Sequence, residues 1–374
     1  MTSPIAAPAA VELPHHSAPA QAVEAARPAR PPVAAIPASM CAVTRDAFGG
    51  PDVLRVADVA VPRLGPGEVL VRVRAAAANP WDWHFLRGLP YIARLTAAGL
   101  RRPKHAVLGG DVAGTVVATG DGVSRFAVGD AVFGFIEFGG FAEYVAVAET
   151  ALAPMPRNLA AEQAAAVPLA ATTALQGLRD AGRLAAGERV LVIGASGGVG
   201  TFAVQLAAHF GAHVTAVASS RNAGFVRALG ADAVVDYTTT DVTTLDEQFD
   251  LILQLAGTAS AASLARLLAP GGRLVMSSGD SPNRWIGPFG RVIRGLLAGK
   301  RSGRAIVVLK ARWNTDDLAF LAGLIEAGAI RPVVTRVYSL ADTADAIRHV
   351  ETGHSRGKVV ISVVPDATSR GGAR

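Results

Sequence analysis

The stretch GERVLVIGASGGVGTFAVQLAAHFGA, residues 187–212, is the most informative part of the sequence. Residues 190–208 carry no charged side chain, yet glycines at 194, 197, 198 and 200 interrupt them. Each glycine would destabilise a membrane-spanning helix by roughly 1 kcal/mol relative to alanine, which argues against a bilayer span. We therefore predict a buried strand over Arg189–Ile193, a glycine-rich turn, and a helix over Thr201–Phe210. This order is the first half of a βαβ unit.

The turn GASGGVG has the spacing of a dinucleotide-binding loop. Its first, fourth and seventh residues are glycines, which permit a tight bend and close approach of the backbone to a ligand. The helix that follows presents unpaired N–H groups and about half a positive charge, which suits a pyrophosphate. A purely structural turn is the alternative. The predicted cofactor-binding residues here are Gly194, Ser196, Gly197, Gly198, Val199 and Gly200.

The second strand, His213–Ala218, indicates which dinucleotide binds. An NAD site usually places an acidic residue about 20 residues after the glycines, to bind the ribose 2′-hydroxyl. Ser219, Ser220 and Arg221 occupy that place here. A hydrogen bond from a charged group to a 2′-phosphate contributes roughly 1.5–3 kcal/mol, so these residues predict NADP(H). A solvated turn that caps the next helix is the alternative.

The alternation of strands and helices continues beyond this point. Strands are predicted over Ala233–Tyr237, Phe249–Gly257 and Arg273–Gly279, and a helix over ASLARLLAPGG is expected to end at Pro270. Ligands of open parallel sheets lie beyond the carboxyl ends of the strands. By this rule the further cofactor-binding candidates are Leu255, Gly257, Ser277 and Ser278.

Composition excludes several classes of function. The single cysteine, Cys41, rules out an internal disulfide and any zinc site built from several thiolates. The net charge of +6 is small for 374 residues and mostly scattered, which does not indicate a nucleic-acid binder. Residues 1–39 are rich in alanine and proline and predict a disordered tail without a secretory signal, and 365–374 a second tail. A cytoplasmic protein without a transmembrane segment is expected.

The regions on either side of the dinucleotide-binding segment have another style. Residues 40–165 contain short strands separated by Pro/Gly turns, typical of a small barrel or sandwich. Residues 306–364 end in similar strands and are expected to return to that first domain. The Rossmann domain, residues 166–305, would then be an insertion, with the substrate cleft between the two domains.

Seven motifs in order resemble the medium-chain dehydrogenase/reductase superfamily, and within it the zinc-independent quinone oxidoreductases, or zeta-crystallin-like reductases. They are GPGEVLVRV, NPWDW, GGDVAGTVVATG, FAVGDAVFG, GGFAEYV, TTALQGL and GASGGVG. The resemblance implies an α/β fold, with a doubly wound parallel Rossmann sheet inserted into a GroES-like β-barrel catalytic domain. It also implies NADPH, hydride transfer to a quinone or α,β-unsaturated carbonyl, and a homodimer. Alternatives are an NAD(P)-dependent alcohol dehydrogenase and a non-catalytic, crystallin-like or RNA-binding protein that holds NADPH.

The same resemblance suggests catalytic candidates and excludes a metal. Zinc-dependent members carry a cysteine and a histidine where this sequence has Asn79 and Gly110, so no metal site is predicted. Asn79 either donates its amide hydrogens to the substrate carbonyl or braces its loop, and Asp82 is expected to brace the site. Tyr91 is the candidate proton donor or orienting residue, with His84 as its substitute.

Two further residues match cofactor positions of the family. Thr173 resembles a residue at the nicotinamide end, and Tyr237 resembles one that packs near the 2′-phosphate. The segment 281–305 is interpreted as an added loop and amphipathic helix that packs between domains or subunits. Lining an apolar substrate pocket and contact with a membrane surface are the alternatives.

Overall fold

The computed structural model of the chain describes residues 35–95, 98–277, 285, 287, 289–302 and 304–363. The tail predicted over residues 1–39 lies mostly outside this part, and the one over 365–374 lies wholly outside it. Two of the described segments, 285 and 287, are single residues within the predicted insertion.

The first half of the chain forms the strands of a GroES-like domain. The strands are β1 (Ser39–Thr44), β2 (Arg55–Ala60), β3 (Glu68–Ala78), β4 (Asp111–Thr119), β5 (Ala131–Phe135), β6 (Tyr144–Ala148) and β7 (Leu152–Pro154). In β3, Arg72 and Arg74 alternate with buried valines, whereas the four alanines that follow are all buried. Small side chains at that end allow a helix to lie directly on the sheet.

Three helices follow or connect these strands. They are α1 (Pro80–Arg87), α2 (Ala161–Ala165) and α3 (Pro168–Leu175). Helix α2 packs on β3 and β4, and α3 packs against the first helix of the next domain. Asn79 precedes α1 in an extended conformation, and Gly88 ends the helix at φ +60°, a left-handed conformation that favours glycine.

The middle of the chain forms a six-stranded parallel sheet with helices between its strands. Its elements are β8 (Arg189–Ile193), α4 (Gly198–His209), β9 (His213–Ala218), α5 (Ala223–Arg227), β10 (Ala233–Asp236), β11 (Phe249–Gln254), α6 (Ala261–Ala265), β12 (Leu268–Met276), α7 (Phe289–Ser302) and β13 (Ala305–Val308). The strand order is β10-β9-β8-β11-β12-β13. The strand order reverses direction between β8 and β11, which is the switch point where doubly wound sheets bind ligands.

The strands predicted at β8 and β9 are confirmed with the same bounds. The helix expected to run to Pro270 is wrong, because α6 ends at Ala265 and Pro270 lies within β12. The register between β11 and β12 shifts after Phe249, so the irregular start of β12 accommodates a residue without an N–H group. Helix α4 begins at Gly198, earlier than predicted, because the last glycines of the turn already belong to its first turn.

The end of the chain returns to the first domain. Its elements are α8 (Thr315–Glu326), β14 (Val334–Ser339), α9 (Thr343–Glu351) and β15 (Lys358–Ser362). Strand β15 pairs antiparallel with β3, with Val359 opposite Ala78. The parallel sheet is therefore inserted into the GroES-like domain. Strand β13 still belongs to the parallel sheet, so this sheet extends past the boundary expected at residue 305.

Over the described ranges, no helix is both long enough and apolar enough to cross a bilayer.

Candidate functional site

The glycine-rich turn between β8 and α4 has the geometry that its spacing predicted. Gly194 has φ +89°, a conformation that L-residues with side chains rarely adopt. A Cβ placed on Gly200 would lie 2.1 Å from the carbonyl oxygen of Gly194, so the close packing of turn and helix requires glycine there. Gly197 has no such contact and is the N-cap of α4. Among the described residues, no side chain caps this helix.

A cavity of about 850 Å³ opens beside this turn. Six predicted cofactor-binding residues line it: Gly194, Ser196, Gly197, Arg221, Tyr237 and Gly257. They come from the turn and from the carboxyl ends of β8, β9, β10 and β11, as expected for a parallel sheet. The backbone N–H groups of the uncapped helix and the Arg221 side chain thus border one cleft that suits a nucleotide with several phosphates.

The other predicted cofactor residues lie behind this surface or outside it. Ser219 is buried, Ser220 is exposed, and Leu255 donates its N–H to the carbonyl oxygen of Ile193. Gly200 and Val199 belong to the packed side of α4. Thr173 is 8% exposed, and its hydroxyl donates to the carbonyl oxygen of Leu169 at 2.6 Å. Ser277 donates its N–H to Gln254, Gly198 lies against the Lys358 stem, and Ser278 lies outside the described residues.

Several groups of residues that line this cavity were missed from the sequence, among them two on loops. The loop Thr238–Thr243 follows β10, and His354 and Ser355 come from the segment before β15. The carboxylate of Asp236 organises the loop by accepting hydrogen bonds from the Thr238 N–H and hydroxyl groups. These bonds, together with weaker ones from Ser220, lower the pKa of Asp236. The polar run TTTDVTT after a predicted strand was the available signal.

A buried ion pair lies beneath the glycine turn. The Lys358 Nζ donates to Asn79 Oδ1 at 2.5 Å and to Asp111 Oδ2 at 3.1 Å. Lys358 is 3% exposed and Asp111 is fully buried. The other Asp111 oxygen accepts the N–H of Leu169, at the start of α3, at 2.8 Å. This network therefore joins β15, β4, α3 and the residue before α1.

The side chain of Asn79 is fully hydrogen-bonded within the protein. Its amide nitrogen donates to the Ala77 carbonyl oxygen at 3.1 Å and to Asp111 Oδ2 at 3.0 Å. Both amide hydrogens are thus used within the protein, and Asn79 is 2% exposed. The suggestion that Asn79 donates to a substrate carbonyl finds no support in this geometry, which fits the bracing role instead.

Asp82 braces the same region from the first turn of α1. Its two oxygens accept the N–H groups of Asn79 at 2.8 Å and Gly109 at 3.1 Å. Complete burial raises the pKa of Asp82 to about 7, against the opposing effect of the Asn79 N–H; the nearby charge of Asp111 adds to the rise. Burial also raises the pKa of Asp111, while the charge of Lys358 acts in the opposite direction.

The candidate proton donors, Tyr91 and His84, do not line the cavity beside the glycine-rich turn. Tyr91 packs edge-on against Trp285, with ring centroids 5.2 Å apart, and beneath the guanidinium of Arg94. His84 stacks on Trp83 at 3.6 Å. Neither Tyr91 nor His84 lines the 850 Å³ cavity or the smaller cavity beside Phe135.

A second cavity of about 450 Å³ lies between the GroES-like domain and the α8 region. Its apolar walls include Phe135, Trp313 and Leu318, and the rings of Phe135 and Trp313 are 4.1 Å apart. Pro168 also lines this cavity, next to Leu169, whose N–H binds Asp111. Phe135 is the register partner of Asp111. The cavity therefore adjoins the buried network.

The residues at the zinc-ligand places do not fit a metal ion. A Cβ placed on Gly110 would lie 2.4 Å from Cε2 of Phe135, so the phenyl ring fills the space that a histidine there would need. The Asn79 side chain is held by Asp111 and Lys358. In the part of the chain that the structure describes, no three His, Cys, Asp or Glu residues are grouped as metal ligands.

We predict that Lys358→Met lowers the free energy of unfolding by about 3 kcal/mol, because it leaves the Asp111 carboxyl buried without its partner. The double variant Lys358→Met/Asp111→Asn should recover part of that loss. Urea unfolding measures both. Lys310→Met, at an exposed lysine, is the matched control and should change stability by less than about 0.5 kcal/mol. Equal stability of the single and double variants would show that the two groups are not coupled.

The raised pKa of Asp82 predicts a dependence of stability on pH. Between the ordinary value of 3.8 and about 7, the unfolded chain releases a proton that the folded chain retains. The contribution to stability is therefore complete below the lower value and lost as the pH rises through about 7. Urea unfolding across this range should show wild type losing stability relative to Asp82→Asn as the pH rises. A constant difference between the two proteins would contradict this pKa.

The chain matches known protein families along most of its length. Residues 65–157 match the alcohol dehydrogenase GroES-like domain and residues 229–361 the zinc-binding dehydrogenase family. The 2-methylene-furan-3-one reductase of Solanum lycopersicum is 35% identical over 88% of this chain and 81% of its own length. The NADPH-dependent alkenal/one oxidoreductase, chloroplastic, of Arabidopsis thaliana is 34% identical over 89% and 82%.

A solved structure agrees with these relatives. The quinone oxidoreductase from Coxiella burnetii superposes with a TM-score of 0.78 at 30% identity, covering 87% of this chain and all of that one. This similarity extends over both domains, including the inserted parallel sheet and the glycine-rich turn. The chain belongs to the medium-chain dehydrogenase/reductase superfamily of oxidoreductases.

Proposed function

We propose that the protein is an NADPH-dependent, metal-independent reductase of quinones or α,β-unsaturated carbonyls. The observation that carries the proposal is the 850 Å³ cleft bordered by the uncapped helix α4 and Arg221. Relatives named as an NADPH-dependent alkenal/one oxidoreductase and a quinone oxidoreductase support it. An alcohol dehydrogenase is less favoured, because the residues at the zinc-ligand places do not fit a metal.

The residues of the cleft would hold NADPH by their chemistry. The N–H groups at the start of α4 suit its pyrophosphate, while Arg221 suits the 2′-phosphate and Tyr237 the adenosine end. NADPH supplies the hydride of the reaction when it is bound. The turn contacts the GroES-like domain at the start of β15, where the Gly357 N–H donates to the Ser196 carbonyl oxygen at 2.8 Å and the Lys358 stem lies against Gly198.

The 450 Å³ cavity beside the buried network is the candidate site for the acceptor. Phe135, Trp313 and Leu318 would contact an apolar ring or chain, and polar side chains such as Glu137 and Asn314 line the rest of the cavity. Reduction of an enone adds a hydride and a proton across its carbon–carbon double bond, and a quinone takes up a hydride and a proton to give the hydroquinone. Both acceptors are already polarised, so the protein's task is orientation and exclusion of water rather than Lewis-acid activation.

The chain is also proposed to be a cytoplasmic homodimer without specific affinity for nucleic acid. The dimer and the location rest on the family resemblance and on composition alone. Sedimentation velocity and cell fractionation test them.

The proposed activity predicts NADPH oxidation with 9,10-phenanthrenequinone or simple enones, at a turnover of about 1 per second or faster. Extensive EDTA treatment should leave this rate unchanged, and a primary alcohol with NADP⁺ should give no reaction. Absorbance of NADPH measures all three. Loss of activity together with a bound metal would instead support an alcohol dehydrogenase. Tight NADPH binding without oxidation by any acceptor would support a non-catalytic protein.

The choice of cofactor is tested at Arg221. Arg221→Glu should raise the KM for NADPH by roughly tenfold or more, because a hydrogen bond between charged groups becomes a repulsion. The KM for NADH should change by far less. Arg227→Glu, an equal charge change at an exposed site on α5, is the matched control. If both cofactors respond alike to Arg221→Glu, the 2′-phosphate is not bound there.

A further inference from the structure

Helix α7 packs on the protein by its glycines. A Cβ on Gly295 would lie 3.3 Å from Cβ of Ala261, and one on Gly299 would lie 3.1 Å from Cγ1 of Ile306. The residues Ile293, Leu296, Leu297 and Lys300 follow helical spacing on another face and are exposed. The exposed side chains of Ile293, Leu296 and Leu297 do not pack between the two domains, and the expectation that the helix packs between subunits stays a prediction.

A second segment, residues 91–102, shares this character and contacts Trp285, which precedes α7. The N–H of Ile92 donates to the carbonyl oxygen of Trp285 at 3.1 Å, next to the contact between Trp285 and Tyr91. Twelve large apolar side chains are exposed among the described residues, and seven of them lie in these two segments. They are Ile92, Leu95, Leu100, Trp285, Ile293, Leu296 and Leu297. We call the exposed residues of 91–102 and 285–300 the basic apolar face.

The charge of both segments is of one sign. Residues 91–102 contain three arginines and residues 285–300 contain two arginines and one lysine, with no aspartate or glutamate in either range. Arg101, Arg102, Arg294 and Lys300 are exposed beside the apolar side chains. Because one segment belongs to the GroES-like domain and the other follows β12 of the parallel sheet, the face bridges both domains.

We propose that the basic apolar face binds the surface of an anionic lipid bilayer. A basic helix with exposed leucine and isoleucine side chains and a neighbouring tryptophan suits the headgroup region, where apolar side chains enter the lipid and cations meet its charge. A second copy of the chain is disfavoured, because a twofold interface would bring this basic patch against itself. Nucleic acid is disfavoured, because six of the seven exposed apolar side chains are aliphatic and only Trp285 offers a stacking surface for bases.

One consequence of this proposal, the identity of the acceptor, rests on the proposed function. Because the face includes residues of both domains, binding would bring the region between the domains close to the bilayer, and the acceptor would be an apolar quinone dissolved in the lipid. The surface itself does not depend on catalysis, and its test needs no cofactor or acceptor.

The test is cosedimentation of the full chain with vesicles. Vesicles of equal parts phosphatidylcholine and phosphatidylglycerol should bind the protein at least roughly tenfold more strongly than phosphatidylcholine alone, and added salt should weaken the binding. Leu296→Glu/Leu297→Glu should reduce binding at least roughly tenfold. Phe320→Glu/Val337→Glu, an equal charge change at two exposed apolar residues elsewhere, is the matched control and should bind like wild type.

Several results would overturn the proposal. They are absence of vesicle binding, equal binding to neutral vesicles, or equal loss in the control variant. A tighter complex with single-stranded RNA that the Leu296/Leu297 variant loses would assign the face to nucleic acid. A smaller oligomer of that variant in sedimentation velocity would assign it to contact between copies.

Activity measurements separate this proposal from the proposed function. The Leu296/Leu297 variant should reduce a water-soluble enone at the wild-type rate and a quinone embedded in anionic vesicles at least roughly tenfold more slowly. Vesicle binding without any NADPH oxidation would support the membrane-binding face and contradict the proposed reductase activity. Oxidation of NADPH without vesicle binding would support the reductase activity and contradict the membrane-binding face.

Discussion

The buried ion pair between Lys358 and Asp111 is the interaction on which the packing around the glycine-rich turn depends. The Lys358 ammonium contacts Asn79 and Asp111, and through Asp111 it connects to the first turn of α3. The aliphatic stem of Lys358 lies against Gly198, where the glycine-rich turn enters α4. Lys358 and Asp111 belong to the sheet of the GroES-like domain, and Asn79 directly follows its strand β3. The parallel-sheet domain therefore meets the network at the first turn of α3 and at Gly198. A charged member of the network left without its partner in this interior would be strongly unfavourable. The glycine-rich turn thus packs against a residue whose position the buried ion pair holds.

Much of the parallel sheet could be predicted from the sequence, since its strands are short runs of β-branched residues between glycines. Strands β8 and β9 have this form and were located with their observed bounds. Strand β12 was partly missed because Pro270, Gly271 and Gly272 normally end a helix, and here they lie in an irregular strand. Local signals of this kind do not show which partner strand is present. Residues 268–272 belong to a strand because β12 pairs with β11 from Leu268 onward.

More of the predicted cofactor-binding residues than of the predicted catalytic residues line one cavity, for a physical reason. A glycine-rich turn is built from consecutive residues, whereas the partner of Asn79 lies 279 residues away at Lys358. No local pattern reveals such a pair. The available signal was a lysine that opens the otherwise apolar strand KVVIS, because a charged residue at a buried strand position requires a partner. That signal predicts a buried partner for Lys358 but does not identify the partner as Asn79 or Asp111.

The same network explains how a member of a family described as zinc-binding dehydrogenases can lack residues suited to the metal. Asn79 stands where zinc members carry a cysteine, and the cation it contacts is an ammonium group. Phe135 occupies the space beside Gly110, and it also forms a wall of the apolar cavity. Two changes therefore accompany the absence of zinc ligands. The Lys358 ammonium balances the charge of Asp111, and the Phe135 ring fills the space that a histidine ligand at position 110 would need. Such a site is suited to acceptors that are polarised by their own conjugation, because it provides binding and orientation without a Lewis acid.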